Sequence, residues 1–153
     1  MPSYELQLFA DYFQFYLQDE AADGDLSAAW DPAAVQSMFA VSTGVVGIGT
    51  VRNMDVQVTL DLLDSEPPSD FIHFDHVVEG SLHIKSGSLV VAGCTDYFQD
   101  APRFNLAPGI YRVRLSASGL GTLSKDGLSG QDHYRVQLWQ APPIEPVVLK
   151  GSA

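Results

Sequence analysis

The feature that most limits what this chain can become is a period-two alternation of apolar and polar residues. It recurs in short runs, each bounded by turn chemistry. From Asp55 to Asp61, Val56, Val58 and Leu60 fall on one side, and Asp55, Gln57, Thr59 and Asp61 on the other. From His133 to Gln140, Tyr134, Val136 and Leu138 oppose Arg135, Gln137 and Trp139. From Ile110 to Ser116, Tyr111, Val113 and Leu115 oppose Arg112 and Arg114. Successive side chains of a strand point to opposite faces. A period of two therefore describes a strand with one buried and one wet face, as in an antiparallel sheet.

The remaining segments fit the same class. Tyr4 to Gln18 is aromatic, and its alternation (Leu6 and Leu8 against Glu5 and Gln7) shifts near Ala10-Asp11, which predicts a bulge or break. Val45 to Val51 is a small apolar strand, and Phe71 to Ile84 reads as strand with a possible kink at Gly80. Lys85-Ser86-Gly87 is a turn, after which Ser88 to Ala92 is expected to return as a hairpin partner. Ser65 to Asp70, Asp96 to Asn105 and the glycine-rich Ser118 to Gln131 are expected loops. Ala107-Pro108-Gly109 is a type II turn signal, and Val147-Val148-Leu149 is a last edge strand.

One helix is predicted. Asp31 suits an N-cap and Pro32 the first helical position. Val35, Met38 and Phe39 would make its apolar stripe, and Gly44 would end the segment. The expectation is an all-β fold, an antiparallel two-sheet β-sandwich with one short helix. It is expected to form one domain over 1–153, folded from about 4 to 149, with a short polar C-terminal tail.

Composition limits function more than it specifies it. A chain of 153 residues with 46% apolar residues can bury a core without metals or disulfides. The single cysteine, Cys94, excludes an internal disulfide and fits a reducing compartment, the cytoplasm. Met1-Pro2-Ser3-Tyr4-Glu5 has neither the basic nor the apolar region of a secretory signal. No apolar run approaches the roughly 20 residues of a membrane helix, so no membrane association is expected.

Net charge is −11, from 8 basic and 19 acidic residues. Residues 1–51 carry seven acids and no Lys or Arg, and residues 52–153 carry the other 12 acids and all 8 bases. Such a surface repels phosphate backbones, which disfavours direct nucleic-acid binding, and it attracts a basic partner. Solubility alone could also account for it.

Signatures of chemistry are sparse. His73, Asp75, His76 and His83 lie close in sequence; with a neighbouring strand's His133 they could supply the three ligands of a metal site, or be exposed polar residues. On a strand His73 and Asp75 would share a face and His76 would oppose them. Asp19-Glu20-Ala21-Ala22-Asp23-Gly24-Asp25 superficially resembles a calcium loop but lacks the required spacing. It reads as a solvated loop or a protein-contact site. Cys94 has nothing nearby in sequence to lower its pKa, and no Gly-x-Ser-x-Gly elbow occurs. Gly44 to Gly49 lacks a P-loop lysine, so its glycines are expected to relieve crowding. Trp30 and Trp139, beside Arg52 or Arg135, could anchor an interface or sit in or near the core. No catalytic residue, metal or cofactor is assigned.

Several segments together resemble a known family. They are Tyr12-Phe13-Gln14-Phe15, Trp30-Asp31-Pro32-Ala33-Ala34-Val35, Phe39-Ala40, Val51-Arg52-Asn53, Leu106-Ala107-Pro108-Gly109-Ile110-Tyr111-Arg112-Val113 and Asp132-His133-Tyr134-Arg135-Val136. Their order is similar to that of competence protein J of Gram-positive bacteria and its uncharacterised relatives, over roughly residues 4–148. The stretches 96–105 and 118–131 depart from the family pattern, which bears on the partner because inhibitory surfaces often sit on loops. The resemblance implies a protein that inhibits a nuclease of DNA uptake by binding it, hence a binding protein and not an enzyme. It transfers no contact residues. The charge reading agrees in direction, and places the contact on Asp19, Glu20, Asp23 and Asp25. Two other classes stay open: a small-ligand or carbohydrate-binding sandwich using Tyr12, Tyr16 or Trp139, and a metal-dependent β-barrel enzyme using His73, Asp75 and His76, with His83 as a further candidate. Exposed strand edges also allow a homodimer.

Overall fold

A computed structural model describes residues 2–23 and 25–151. Gly24 of the acidic loop and the last residues of the polar tail, Ser152 and Ala153, lie outside the described residues. Eleven strands form two sheets. They are β1 (Ser3–Phe9), β2 (Gln14–Asp19), β3 (Phe39–Ser42), β4 (Val45–Gly49), β5 (Asp55–Leu62), β6 (His76–Ile84), β7 (Ser88–Gly93), β8 (Arg103–Asn105), β9 (Gly109–Ser118), β10 (His133–Gln140) and β11 (Val147–Lys150). The large sheet runs β1-β5-β10-β9-β6-β11 and the small sheet β3-β4-β2-β7-β8. Neighbours are antiparallel except β5 and β10, which pair parallel with Tyr134 opposite Val58. The expected all-β, two-sheet fold with one short helix is present.

The core lies between the sheets. Phe15, Leu17, Val46 and Ile48 of the small sheet meet Val58, Leu60, Val113, Leu115, Val136 and Leu138 of the large one, all buried. These are the apolar sides of the alternating runs. The break foreseen near Ala10 is where the chain changes sheets. Ala10 is fully buried, its amide donates to the Met54 carbonyl, and a 3-10 turn at Asp11–Phe13 redirects the backbone into β2.

Several expectations need correction. β6 and β7 are not a hairpin, because β6 lies in the large sheet and β7 in the small one. The turn between them arches over the core edge instead. Phe71–Asp75 is not strand, since β6 begins at His76. Gly80 does not kink β6, whose pairing with β9 continues unbroken through Gly80–Val113. It makes room for a neighbour, because a Cβ there would sit 2.3 Å from Phe39 Cε1.

The helix, α1, is shorter than its apolar spacing suggested and spans Pro32–Ser37. Its N-cap is as foreseen, with Asp31 Oδ1 accepting from the Ala34 amide at 2.8 Å. Met38, not Gly44, ends it, in a left-handed conformation at φ 62°. Val35 is consequently exposed, and Phe39 enters the core from β3 rather than from a helix stripe.

The outer face of the large sheet is the wet face that alternation implies only in part, with Asp55, Gln57 and His83 exposed on it. Thr59, Asp61, Glu79, Arg114 and Trp139 are all buried on it. Residues 63–75 cross over this face. Pro68 accepts from Arg114 Nη1 at 3.0 Å, and the Arg114 guanidinium lies 5.1 Å from the Phe71 ring and 5.2 Å from the Trp139 ring. No helix among the described residues is long and apolar enough to cross a membrane.

Candidate partner-binding surface

The acidic loop starts on a fixed point. Asp19 is the last residue of β2 and is 2% exposed. Its Oδ1 accepts from the Ser86 amide at 3.0 Å and the Ser86 hydroxyl at 2.6 Å, tying the loop to the β6–β7 arch. Asp19 is therefore an internal brace. Of the four acids expected to make the contact, Asp19 is thus the buried one, at the inner edge of the groove that Asp23 and Asp25 line. Glu20 is exposed but engaged, since its carboxylate meets Arg103 Nε at 2.5 Å. Asp23 and Asp25 are exposed and outside any ion pair. Hydrogen bonds from Ser27 hold the Asp25 carboxyl below its ordinary range, so it stays ionised. Together with Ala21, Ser42 and Lys85 they line an open groove of about 450 Å³.

The ion pairs identify which carboxylates carry the excess negative charge. The chain has five arginines, and all five are paired internally. Arg52 meets Asp132 at 2.6 Å, Arg114 and Arg112 both meet Glu79 (2.6 and 3.6 Å), Arg135 meets Asp61 at 2.7 Å, and Arg103 meets Glu20. These pairs occupy four carboxylates and leave fifteen outside ion pairs among the described residues, against three lysines. Arginine's planar, always-charged head suits such pairs; Arg52, Arg112 and Arg114 are largely buried in them, and Arg103 and Arg135 are partly exposed.

A second feature lies at the sheet-switching turn. Tyr12 and Phe13 are 68% and 54% exposed. With Trp30, Val35 and Met38 they line an open apolar cavity of about 360 Å³ floored by Gly49–Val51. Trp30 is half-buried, its Nε1 donating to Gln14 Oε1 at 3.0 Å and its ring lying over Gly47, where a Cβ would come within 2.8 Å. That is the crowding the glycines of β4 were expected to relieve, imposed by Trp30 rather than by a strand.

The other candidate groups do not assemble. His73, Asp75 and His83 are exposed and His76 is buried. His76 Nε2 donates to the Ser37 carbonyl at 2.6 Å, linking β6 to the end of α1. Asp75 accepts from the Leu120 amide at 3.0 Å. His133 Nε2 donates to the Thr59 hydroxyl at 2.8 Å, and that hydroxyl donates to Glu5 at 2.9 Å. Among the described residues no three His, Cys, Asp or Glu side chains converge, so the His73/Asp75/His76/His83 metal reading fails on geometry. His73 precedes β6, so it shares no strand face with Asp75. Trp139 is buried, with the Arg114 guanidinium over its ring, which removes it from the ligand-binding alternative. Tyr16 is half-buried on the outer face of the small sheet. Cys94 is exposed, but burial of its thiol and the charge of Asp11 raise its pKa, away from the reactive thiolate. Arg52 and Arg135 are ion-paired with Asp132 and Asp61, Arg52 buried and Arg135 partly exposed.

Comparison with solved structures places the architecture. ComJ from Bacillus subtilis, an inhibitor of the DNA-degrading activity of NucA, aligns with a TM-score of 0.70 and 16% identity, covering 92% of this chain and 98% of that one. The chain has a ComJ-like fold. The protein described as crocagin biosynthetic gene J aligns with a TM-score of 0.60 and 18% identity, covering 93% of this chain and 100% of that one. No protein-family model matches the sequence, and no curated protein matches it. At these identities the likeness concerns the fold, and function must be argued from the surface.

Proposed function

We propose that this protein is an inhibitor-type binding protein, not an enzyme, that covers the basic nucleic-acid-binding cleft of a nuclease with its acidic face. The observation that carries the reading is the internal pairing of all five arginines, which leaves a surface of unpaired carboxylates. A cleft built to hold phosphates is the natural complement of such a surface. The fold shared with ComJ supports the direction, and the fold shared with a protein of crocagin biosynthesis means that fold alone does not choose it. Asp23 and Asp25 are the free carboxylates of the loop, with Glu20 at its edge, and Asp19 holds the loop in place.

The test is a DNA-degradation assay on NucA and on recombinant DNA-degrading nucleases from the source organism, each titrated with this protein. Stoichiometric inhibition is expected, with an affinity that drops by about tenfold or more as salt rises from about 0.05 to 0.5 M. Absence of inhibition across the panel at low salt refutes the reading.

A further inference from the structure

The Tyr12–Phe13 turn carries more than a connection between sheets. Among the described residues, only Tyr12, Phe13 and Met38 combine a side chain with positive φ, at 58°, 60° and 62°. All three line the same apolar cavity. Left-handed backbone is unfavourable for residues with a Cβ, and glycine or asparagine is the usual solution. Two adjacent aromatic residues in this conformation beside one opening indicate that their side chains are wanted there, because strain of this kind concentrates at functional sites.

Met38 is accounted for, since it ends α1 and packs against the core, but packing does not account for Tyr12 and Phe13. The backbone of the turn is held by the Phe13 amide donating to Ala10 and by the Thr50 amide donating to the Phe13 carbonyl, bonds that need no aromatic side chain. The two rings point away from the core, and Val35 beside them is 62% exposed. Exposed aromatic and aliphatic side chains clustered around a concavity are the composition of a binding hot spot.

Charge identifies the occupant. Every residue lining the cavity comes from the part of the chain without Lys or Arg. Arg52, the first base in the chain, is turned inward to Asp132. Asp11 precedes Tyr12 and its carboxylate accepts from the Tyr12 amide, while Asp31 caps the helix that carries Val35. A second copy of this chain would bring the same −11 charge against it.

Resting on the binding-protein reading above, we infer that the Tyr12–Phe13–Val35–Met38 cavity is the apolar anchor of the interface, and that it takes an aliphatic or aromatic side chain projecting from a Lys/Arg-rich protein surface. The acidic face steers the encounter, and the anchor holds the complex once charge has been screened.

Two defined probes test this without a nuclease: polylysine and a random lysine–tryptophan copolymer of matched length. The copolymer has the lower charge density, so electrostatics alone favours polylysine. The anchor predicts instead that the protein binds the copolymer about tenfold more tightly at moderate salt. Tyr12→Gly with Phe13→Gly should abolish that preference and leave polylysine binding unchanged. Its melting temperature should hold or rise, since glycine accepts the left-handed backbone and no core contact is lost. Equal binding of both polymers by the wild type, or a preference that survives in the variant, overturns the anchor. A melting temperature lowered by more than about 5 °C also overturns it, because the rings would then be structural. Concentration-dependent dimerisation abolished by the variant overturns it too, assigning the patch to self-association.

The nuclease assay separates the two proposals. If the wild type and the variant inhibit equally, the anchor falls and the inhibitor reading stands. If no nuclease is inhibited but the copolymer preference holds, the inhibitor reading falls and the anchor stands.

Discussion

Removing the Asp132 carboxylate tests how this protein spends its basic charge. In Asp132→Ala, Arg52 stays charged with its side chain only 11% exposed, and its remaining side-chain partner is the Leu128 carbonyl at 3.2 Å. The Tyr134 hydroxyl loses the acceptor it now reaches at 2.8 Å, although it still accepts from the Val51 amide at 2.9 Å. Breaking one partner of a buried ion pair costs about 3–5 kcal/mol, and the stranded hydroxyl adds about 1 kcal/mol. A domain of this size is stable by only about 5–15 kcal/mol, so roughly a third or more would be lost. With a urea m-value of about 2 kcal/mol/M, the unfolding midpoint should fall by about 2–3 M. The paired replacement Arg52→Met with Asp132→Leu should cost less than Asp132→Ala alone, because no charge is left buried without a partner. Arg52 also holds the loop 119–131 through Leu128, so trypsin should cut after Lys125 sooner in the single variant. A midpoint shift below about 0.5 M, or a double variant less stable than the single one, would refute the reasoning.

Other outcomes follow from the same geometry. Gly80→Ala places a methyl 2.3 Å from the Phe39 ring, so a loss of about 1–3 kcal/mol is expected in thermal unfolding; an unchanged melting temperature would mean the ring has room to retreat. Asp23→Lys with Asp25→Lys should slow association with an inhibited nuclease several-fold at low salt, and approach wild type near 1 M salt in stopped-flow kinetics. Asp19→Ala should instead lower stability by about 1 kcal/mol, since it removes the acceptor shared by the Ser86 amide and hydroxyl; equal association defects in both variants would contradict the division between brace and contact. Burial holds the Tyr134 hydroxyl well above the ordinary tyrosine value. Its protonated form is thus favoured by folding, so its contribution is complete below about pH 10 and is lost as pH rises beyond that. Wild-type stability should fall above about pH 10, and Tyr134→Phe should flatten that part of the profile.

What could be read before any fold was known was local. The alternation in Asp55–Asp61 and His133–Gln140 marked β5 and β10, and Val136 and Leu138 proved to be core because a pleated strand leaves them no other side. Asp31-Pro32 marked the start of α1, and the slip near Ala10 marked the change of sheet. The acidic bias of the first 51 residues was legible by counting. Turn residues and side-chain period depend on a few neighbours along the chain, and these conclusions needed nothing more.

Long-range contacts decided the rest. Lys85-Ser86-Gly87 looks the same whether the next strand pairs with β6 or crosses the core; the partners of β7 on β2 and β8 made it an arch. Thr59, Asp61 and Arg114 have the polarity of a wet face, and only distant partners made these positions dry: Pro68 and Phe71 over Arg114, Glu5 beside Thr59, and Ser3 and Arg135 beside Asp61. Asp19 differs from Asp23 in nothing a sequence displays. Its role as a brace depends on Ser86, 67 positions away, arriving within hydrogen-bonding distance. The composition therefore determined that this protein is acidic. The fold determined which charges are spent inside it and which remain at the surface, because pairing needs proximity and proximity between distant segments exists only once the sheets have formed.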